Sequence, residues 1–261
     1  MVLKGGVVAR TVAFANQKGG VAKTTSAVNV AAALVERGRR VLLVDLDAQA
    51  CATFSLGLDP EDLERGVDAA LLDAARPASV LVSTDDGVDL LPATGALSAA
   101  DHRLADRKGR EFAVRDALAT LANAYDWIVV DCSPSLGILT IGALIAADEV
   151  VIPVQCETLS HRGVGQLFET IADVQRLANP RLRVVGILPT IFDGRTTHAR
   201  AVLADLPTRY GTAVLTPISR SIRFAEAPAA GRSILATAPR SRGAAEYRAV
   251  AAALDQEPST A

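Results

Sequence analysis

The chain has 261 residues, half of them hydrophobic, which is enough to bury a large core and excludes a wholly disordered protein. Its net charge of −2 argues against a uniformly basic nucleic-acid binder, and no apolar run approaches the roughly 20 residues that cross a bilayer. The N-terminus has no signal-peptide anatomy, so the expected location is the cytoplasm. Aromatic residues are only 4%, so Ala, Val, Leu and Ile must build the core. Cys51, Cys132 and Cys156 show no C-x-x-C spacing and are expected to be buried free thiols. His102, His161 and His198 lie far apart, and no transition-metal site is assigned.

In chain order, the first feature is an apolar run from Thr11 to Ala15. It leads into Gln17-Lys18-Gly19-Gly20-Val21-Ala22-Lys23-Thr24-Thr25, and then into a segment with Val30, Ala31, Leu34 and Val35 on one helical face. Strand, glycine turn and helix together make a phosphate-binding loop. Backbone N–H groups of the turn and the helix N-terminus form a concave anion site. In such a loop Lys23 reaches the β- and γ-phosphates and the Thr24 hydroxyl sits on Mg²⁺. Ala22 is harmless in it only with a negative φ.

Further strands are expected at Val41–Val44, Val88–Leu91, Ile128–Val130, Glu149–Val154, Val184–Leu188 and Ala213–Thr216, with helical segments between them. Alternation of this kind implies right-handed βαβ crossovers. The expected fold class is α/β: a single doubly wound, mostly parallel β-sheet with helices on both faces. One domain should span residues 11–254, with residues 1–10 and 255–261 as flexible ends. The acidic, polar stretch from Asp59 to about Arg110 has helix signals at Pro60–Ala70 and Arg107–Leu121 and is expected to be a surface elaboration away from the site.

Two strands end in carboxylates. Val41-Leu42-Leu43-Val44-Asp45-Leu46-Asp47 carries Asp45 and Asp47 to the C-terminal sheet edge, where ligands bind in doubly wound sheets. Strand alternation puts both on one side if the strand continues, although either could instead cap the next helix. Trp127-Ile128-Val129-Val130-Asp131 delivers a second acid to that edge, where Asp131 can bind Mg²⁺ through a water.

Charge is unevenly distributed. Residues 181–250 hold eleven arginines, no lysine and four carboxylates, a net +7 that leaves −9 for the rest. Such asymmetry points to a polyanion-binding face, with scattered solvated arginines as the bland alternative.

The loop fits K-G-G-x-x-K-[ST] with Lys18 opening it, and in this it resembles the deviant Walker A motif of the ParA/MinD group of P-loop ATPases. The resemblance covers residues 11 to about 250 and implies an ATPase using ATP and Mg²⁺. Lys18, Gly19, Gly20, Val21, Ala22, Lys23, Thr24 and Thr25 would hold the nucleotide, and Thr24, Asp45 and Asp131 would organise the metal. Asp47 would activate water, with Lys18 and Lys23 completing the catalytic set. Lys18 would cross a two-fold axis to the partner's nucleotide, making an ATP-dependent homodimer. Ala48 and Ser133 stand where the family motifs D-L-D-P-Q and D-x-P-P-S have proline.

Thr216-Pro217-Ile218-Ser219-Arg220-Ser221-Ile222-Arg223-Phe224-Ala225-Glu226-Ala227-Pro228 is similar to the I-P-R-N-V-R-L-S-E-A-P stretch of chromosomal, Soj-type ParA proteins. That likeness implies DNA-phosphate contacts at Arg223 and, from Asp193-Gly194-Arg195-Thr196, at Arg195; Arg220, Arg232 and Arg242 join them as candidates. Ser219 and Ser221 stand at the family's adenine-side positions.

The expected function is therefore an ATP-gated dimer that binds double-stranded DNA without sequence preference in chromosome or plasmid segregation. Hydrolysis would be slow and stimulated by DNA and a ParB-type partner, and the protein would be nucleoid-associated with no membrane partner. The absence of an N-terminal helix-turn-helix extension suits the short chromosomal kind. Three alternatives stay open: a MinD-like membrane switch or positioner of protein cargo, an iron–sulfur electron carrier on the same loop, and a metabolic ligase. The C-terminal segment Ala245–Asp255 has small apolar residues and little basic charge, so it is expected to pack on the domain rather than grip lipid.

Overall fold

The computed structural model describes residues 9–72, 75–156 and 161–256. Seven strands, β1 (Arg10–Phe14), β2 (Val41–Leu46), β3 (Val82–Ser83), β4 (Asp89–Leu91), β5 (Trp127–Cys132), β6 (Glu149–Gln155) and β7 (Arg183–Thr190), form one sheet of order β3-β4-β2-β5-β1-β6-β7. All neighbours run parallel except β3 and β4. The helices are α1 (Lys23–Glu36), α2 (Cys51–Ser55), α3 (Val67–Leu72), α4 (Ala100–Ala105), α5 (Ala113–Ala119), α6 (Ile138–Ala146), α7 (His161–Leu177), α8 (Thr197–Tyr210), α9 (Arg223–Ala229), α10 (Ile234–Thr237) and α11 (Arg242–Leu254).

Strand alternation divides the core in two. Val12, Phe14, Leu43 and Val129 pack on the α1 and α11 side, while Ala13, Leu42, Val44, Ile128 and Val130 face the opposite layer. Burial on both faces explains why these strands read as continuous apolar runs. Helix α1 begins directly after the glycine turn, is rich in alanine, and stops where Gly38 (φ 79) donates to the Val35 carbonyl at 2.8 Å. Helix α11 starts on a Ser241 cap and buries Tyr247, Val250, Ala251 and Leu254 on the α1 side, so the expected packing of the C-terminal segment is met.

The doubly wound, mostly parallel sheet was expected, with three differences in detail. The Ala213–Thr216 run is no strand; Val214 makes a single bridge to Ile187. The two-residue β3 was too short to leave a periodic signal. Arg10 and Asp255, assigned to flexible ends, are instead fixed. Arg10 donates to buried Glu149 at 2.7 Å, and Asp255 accepts from Arg37, Arg39 and the Trp127 indole. Long-range ion pairs of this kind carry no local sequence signature. The remaining terminal expectations, for residues 1–8 and 257–261, lie outside the described residues.

Candidate functional site

The glycine turn leaves β1 at the C-terminal sheet edge between β5 and β6, with β2 beyond β5. Gly20 has φ 73, the left-handed region open to glycine at no cost. Ala22 has φ 60, so the condition under which alanine would be harmless here is not met. That is the left-handed region, where an alanine carries strain that a glycine would not. Several bonds hold the loop in place. Lys18 N–H donates to Asn16 Oδ1 at 2.9 Å, the Thr190 hydroxyl donates to the Val21 carbonyl at 3.0 Å, and Lys23 Nζ donates to the Lys18 carbonyl at 3.1 Å. Lys23 is buried and Lys18 half-buried. Burial lowers the Lys23 pKa, and the charges of Asp131, Cys132 and Asp47 oppose that shift.

Asp45 and Asp131 are direct register partners on β2 and β5, and both are fully buried. Side chains at such positions share one face of the sheet. Their fates differ. Asp45 Oδ2 accepts from both the N–H (2.9 Å) and the hydroxyl (2.8 Å) of Thr53, and Oδ1 accepts from Asp47 N–H at 3.1 Å. Asp45 thus builds the turn into α2, and the helix-capping alternative describes it well. Neither oxygen of Asp131 has a hydrogen-bond partner among the described residues. Burial pushes the Asp45 carboxyl up to about 6. Burial and the neighbouring Asp45 charge push Asp131 well above the usual range, against the Thr24 hydroxyl and the Lys23 ammonium.

A buried carboxylate with two open acceptors next to a threonine hydroxyl and a phosphate loop suits a hard, oxygen-loving cation such as Mg²⁺. Asp131 and Thr24 are the residues that could hold it, with Asp45 one step behind. Asp47 is partly exposed, and its Oδ1 accepts from Gln49 N–H at 3.0 Å. It lines the main cleft, of about 1310 Å³, together with Lys23, Thr24 and Cys51. Cys51 is exposed there rather than buried as expected, because α2 turns that side outward. The far wall comes from Asp59, Glu61, Glu64 and Thr94–Ala96. The acidic stretch is thus part of the cleft and not a remote elaboration. The Thr53 hydroxyl, which accepts from Ala93 N–H at 3.0 Å, ties that stretch to the end of β2.

A second, smaller cleft of about 380 Å³ adjoins the loop, lined by Ala22, Thr190, Ile191, Ile218, Phe224 and Tyr247, with Ser219 and Ser221 at its wall. An apolar, aromatic cleft beside a phosphate cradle suits a nucleobase. Phe224 meets Tyr247 edge-on at 5.6 Å. Sequence reasoning missed both rings, although a chain with six Phe and three Tyr spends each one selectively.

A third cleft, of about 580 Å³, gathers Phe192, Arg195, Ser219, Arg220, Ser221 and Arg242. Arg195, Arg220 and Arg242, separated in sequence, therefore converge. Arg223 opens α9 close by and is exposed. Arg232 does not join them. It donates to Asp86, 2% exposed, and to the Asp85 carbonyl, so its charge is spent holding the β3–β4 turn against the C-terminal segment. Its place beside Asp86 sets Arg232 apart from the arginine cluster it was expected to join.

A family described as an AAA domain matches residues 9–184. The chain is 47% identical over 243 residues to the chromosome-partitioning ATPase Soj of Thermus thermophilus, covering 93% of this chain and 94% of that protein. It is 42% identical over 240 residues to the sporulation initiation inhibitor protein Soj of Bacillus subtilis, covering 91% and 95%. The chain belongs to the Soj/ParA family of partitioning ATPases. Among solved structures, a Mycobacterium smegmatis protein named cobyrinic acid a,c-diamide synthase, bound to an ATP analog and magnesium, matches with TM-score 0.85 and 50% identity over 95% of this chain and 94% of that one. Within the Soj/ParA frame, the phosphate loop, the orphaned Asp131 and the partly exposed Asp47 fall on one sheet edge, as the sequence motifs required.

Proposed function

We propose that this Soj/ParA-family ATPase is a nucleotide-gated dimer that binds DNA without sequence preference in chromosome or plasmid segregation. One observation carries the reading: the cleft that adjoins the phosphate loop and a three-arginine cleft share one wall, at residues 219–221. The cradle suits ATP, and the arginines suit backbone phosphates rather than base edges.

In this reading the loop N–H groups and Lys23 hold the β- and γ-phosphates, and Asp47 orients the attacking water. Thr24 and Asp131 would hold Mg²⁺, which when bound would neutralise charge on the phosphate oxygens. Lys18 reaches the nucleotide of a second copy, so the triphosphate joins the two subunits. The dimer doubles the arginine face, and avidity turns weak contacts into tight binding. Hydrolysis, accelerated by DNA and a ParB-type partner, releases it from a nucleoid-associated, cytoplasmic location.

Random-sequence duplex DNA with ATP, with ADP and without nucleotide, titrated across a salt series, tests this. Binding confined to ATP and falling steeply with salt is expected. Salt-insensitive binding, or none in any state, would sink the proposal.

The name of the Mycobacterium smegmatis structure favours one second reading, an ATP-dependent ligase, and the main cleft has room beside the phosphate loop. DNA-stimulated phosphate release with no carboxylate substrate present would decide for the partition ATPase. A lipid-docking role for α11 is disfavoured because its apolar face is already buried on the α1 side.

A further inference from the structure

The nucleobase-type cleft and the arginine cleft share Ser219, Arg220 and Ser221 as a wall. A second segment runs from one to the other: Ile191 lines the first, and Phe192, Asp193 and Arg195 line the second. The two segments are laced together. Phe192 N–H donates to the Ile218 carbonyl at 2.9 Å, and Arg220 N–H donates to the Phe192 carbonyl at 3.1 Å. Ile191 sits at φ 51, a left-handed torsion that a β-branched residue adopts only when its surroundings impose it.

Glu246 fastens this wall to α11. Its buried carboxylate accepts from Ser219 N–H at 2.8 Å, from the Ser219 hydroxyl at 2.7 Å and from Arg242 Nε at 2.8 Å. One side chain therefore holds both the wall and an arginine of the cleft. The next residue, Tyr247, faces the other way. It lines the nucleobase-type cleft, and its hydroxyl meets that of Ser26 on α1 at 3.1 Å. Residues 246 and 247 thus link the helix that follows the phosphate loop to the arginines.

We propose that Glu246 is a positioning residue that makes the 218–221 wall and Arg242 one unit, so that a nucleotide filling the first cleft orders the arginines of the second within a single subunit. The inference rests on the reading that the arginine cleft takes DNA phosphates, and it adds an intrasubunit step to the avidity gained on dimerisation. A fully hydrogen-bonded buried carboxylate is a stiff connector, and removing its charge loosens all three bonds together.

Amide hydrogen exchange on the full chain tests the coupling without DNA. ADP with Mg²⁺ should slow exchange at least tenfold at residues 192–195 and 219–223 as well as at the phosphate loop. Inorganic tripolyphosphate, which has no base, should protect the loop alone. ADP protection restricted to the loop would overturn the proposal, whatever the DNA result. Glu246→Gln should keep ADP affinity within about twofold, lose the added protection at 219–223, and bind duplex DNA with ATP about tenfold more weakly. Its salt slope should fall by about one, as when one phosphate contact is lost. Should Glu246→Gln fail to fold, Ser219→Ala, which removes one donor, should show a roughly threefold loss of DNA affinity. Wild-type affinity and slope in whichever of these two folds would overturn the idea. A wild-type chain that shows the exchange pattern yet binds no DNA would retire the DNA reading and leave the coupling standing.

Discussion

Asp45 and Thr53 are bound twice over: one carboxylate oxygen takes both the N–H and the hydroxyl of the threonine, at 2.9 and 2.8 Å. The same hydroxyl accepts from Ala93 N–H at 3.0 Å. Thr53→Val keeps the shape and removes the hydroxyl, leaving a buried carboxylate and a buried N–H each short of a partner. Loss of about 2–4 kcal/mol is expected in urea unfolding. A loss under 1 kcal/mol would mean that the network is not holding the turn.

Ala22 stands at φ 60, where glycine is at home and alanine strained. Ala22→Gly relieves that strain and loses part of the gain to a more flexible unfolded chain. A net stabilisation of about 0.5–1 kcal/mol is expected. Unchanged or lower stability by chemical denaturation would show that the loop does not hold the alanine in this torsion.

The pair Asp45 and Asp131 gives a pH dependence whose sign is fixed. Burial raises both pKa values, Asp45 to about 6, so the native state keeps protons that the unfolded chain has released. Their contribution therefore favours the nucleotide-free protein below about pH 4–6 and is lost as pH rises through that window toward 7. For Asp45 alone the loss is roughly 3 kcal/mol. Melting of the nucleotide-free protein from pH 5 to 8 should show this fall, and Asp131→Asn should flatten it. A rise in stability over the same range for both proteins would refute the assignment.

Asp47→Asn keeps an acceptor for Gln49 N–H, so the turn and nucleotide binding should survive. Hydrolysis should fall about 100-fold, because the carboxamide cannot take a proton from water. Loss of ATP binding in equilibrium titration would instead make Asp47 a structural residue.

Arg232 and Arg220 look alike in sequence and should behave oppositely. Arg232→Ala strips a buried carboxylate, Asp86, of its ion pair and should cost about 3 kcal/mol of stability. Arg220→Ala should leave stability within about 0.5 kcal/mol and weaken DNA binding, with a salt slope lower by about one. Equal effects of the two substitutions on DNA affinity would restore Arg232 to the DNA face.

Local sequence determined the phosphate loop, the strands that carry Asp45, Asp47 and Asp131 to one edge, and the doubly wound class. These features arise from short-range causes: glycine torsions, strand alternation and helix periodicity act over a few residues and leave a pattern there. What each charged residue does with its charge was settled only by tertiary structure. Asp45 and Asp131 look equivalent until Thr53 bonds one and the other is left beside Thr24 and Lys23 with no geometric hydrogen bond among the described residues. Arg242 and Arg232 look equivalent until one enters the arginine cleft and the other meets Asp86. Partners such as Glu246 to Ser219, 27 positions apart, or Ser26 to Tyr247, 221 apart, are brought together by packing α11 near the start of α1. Burial, desolvation and hydrogen-bond satisfaction belong to those meetings, and no local window of residues contains them.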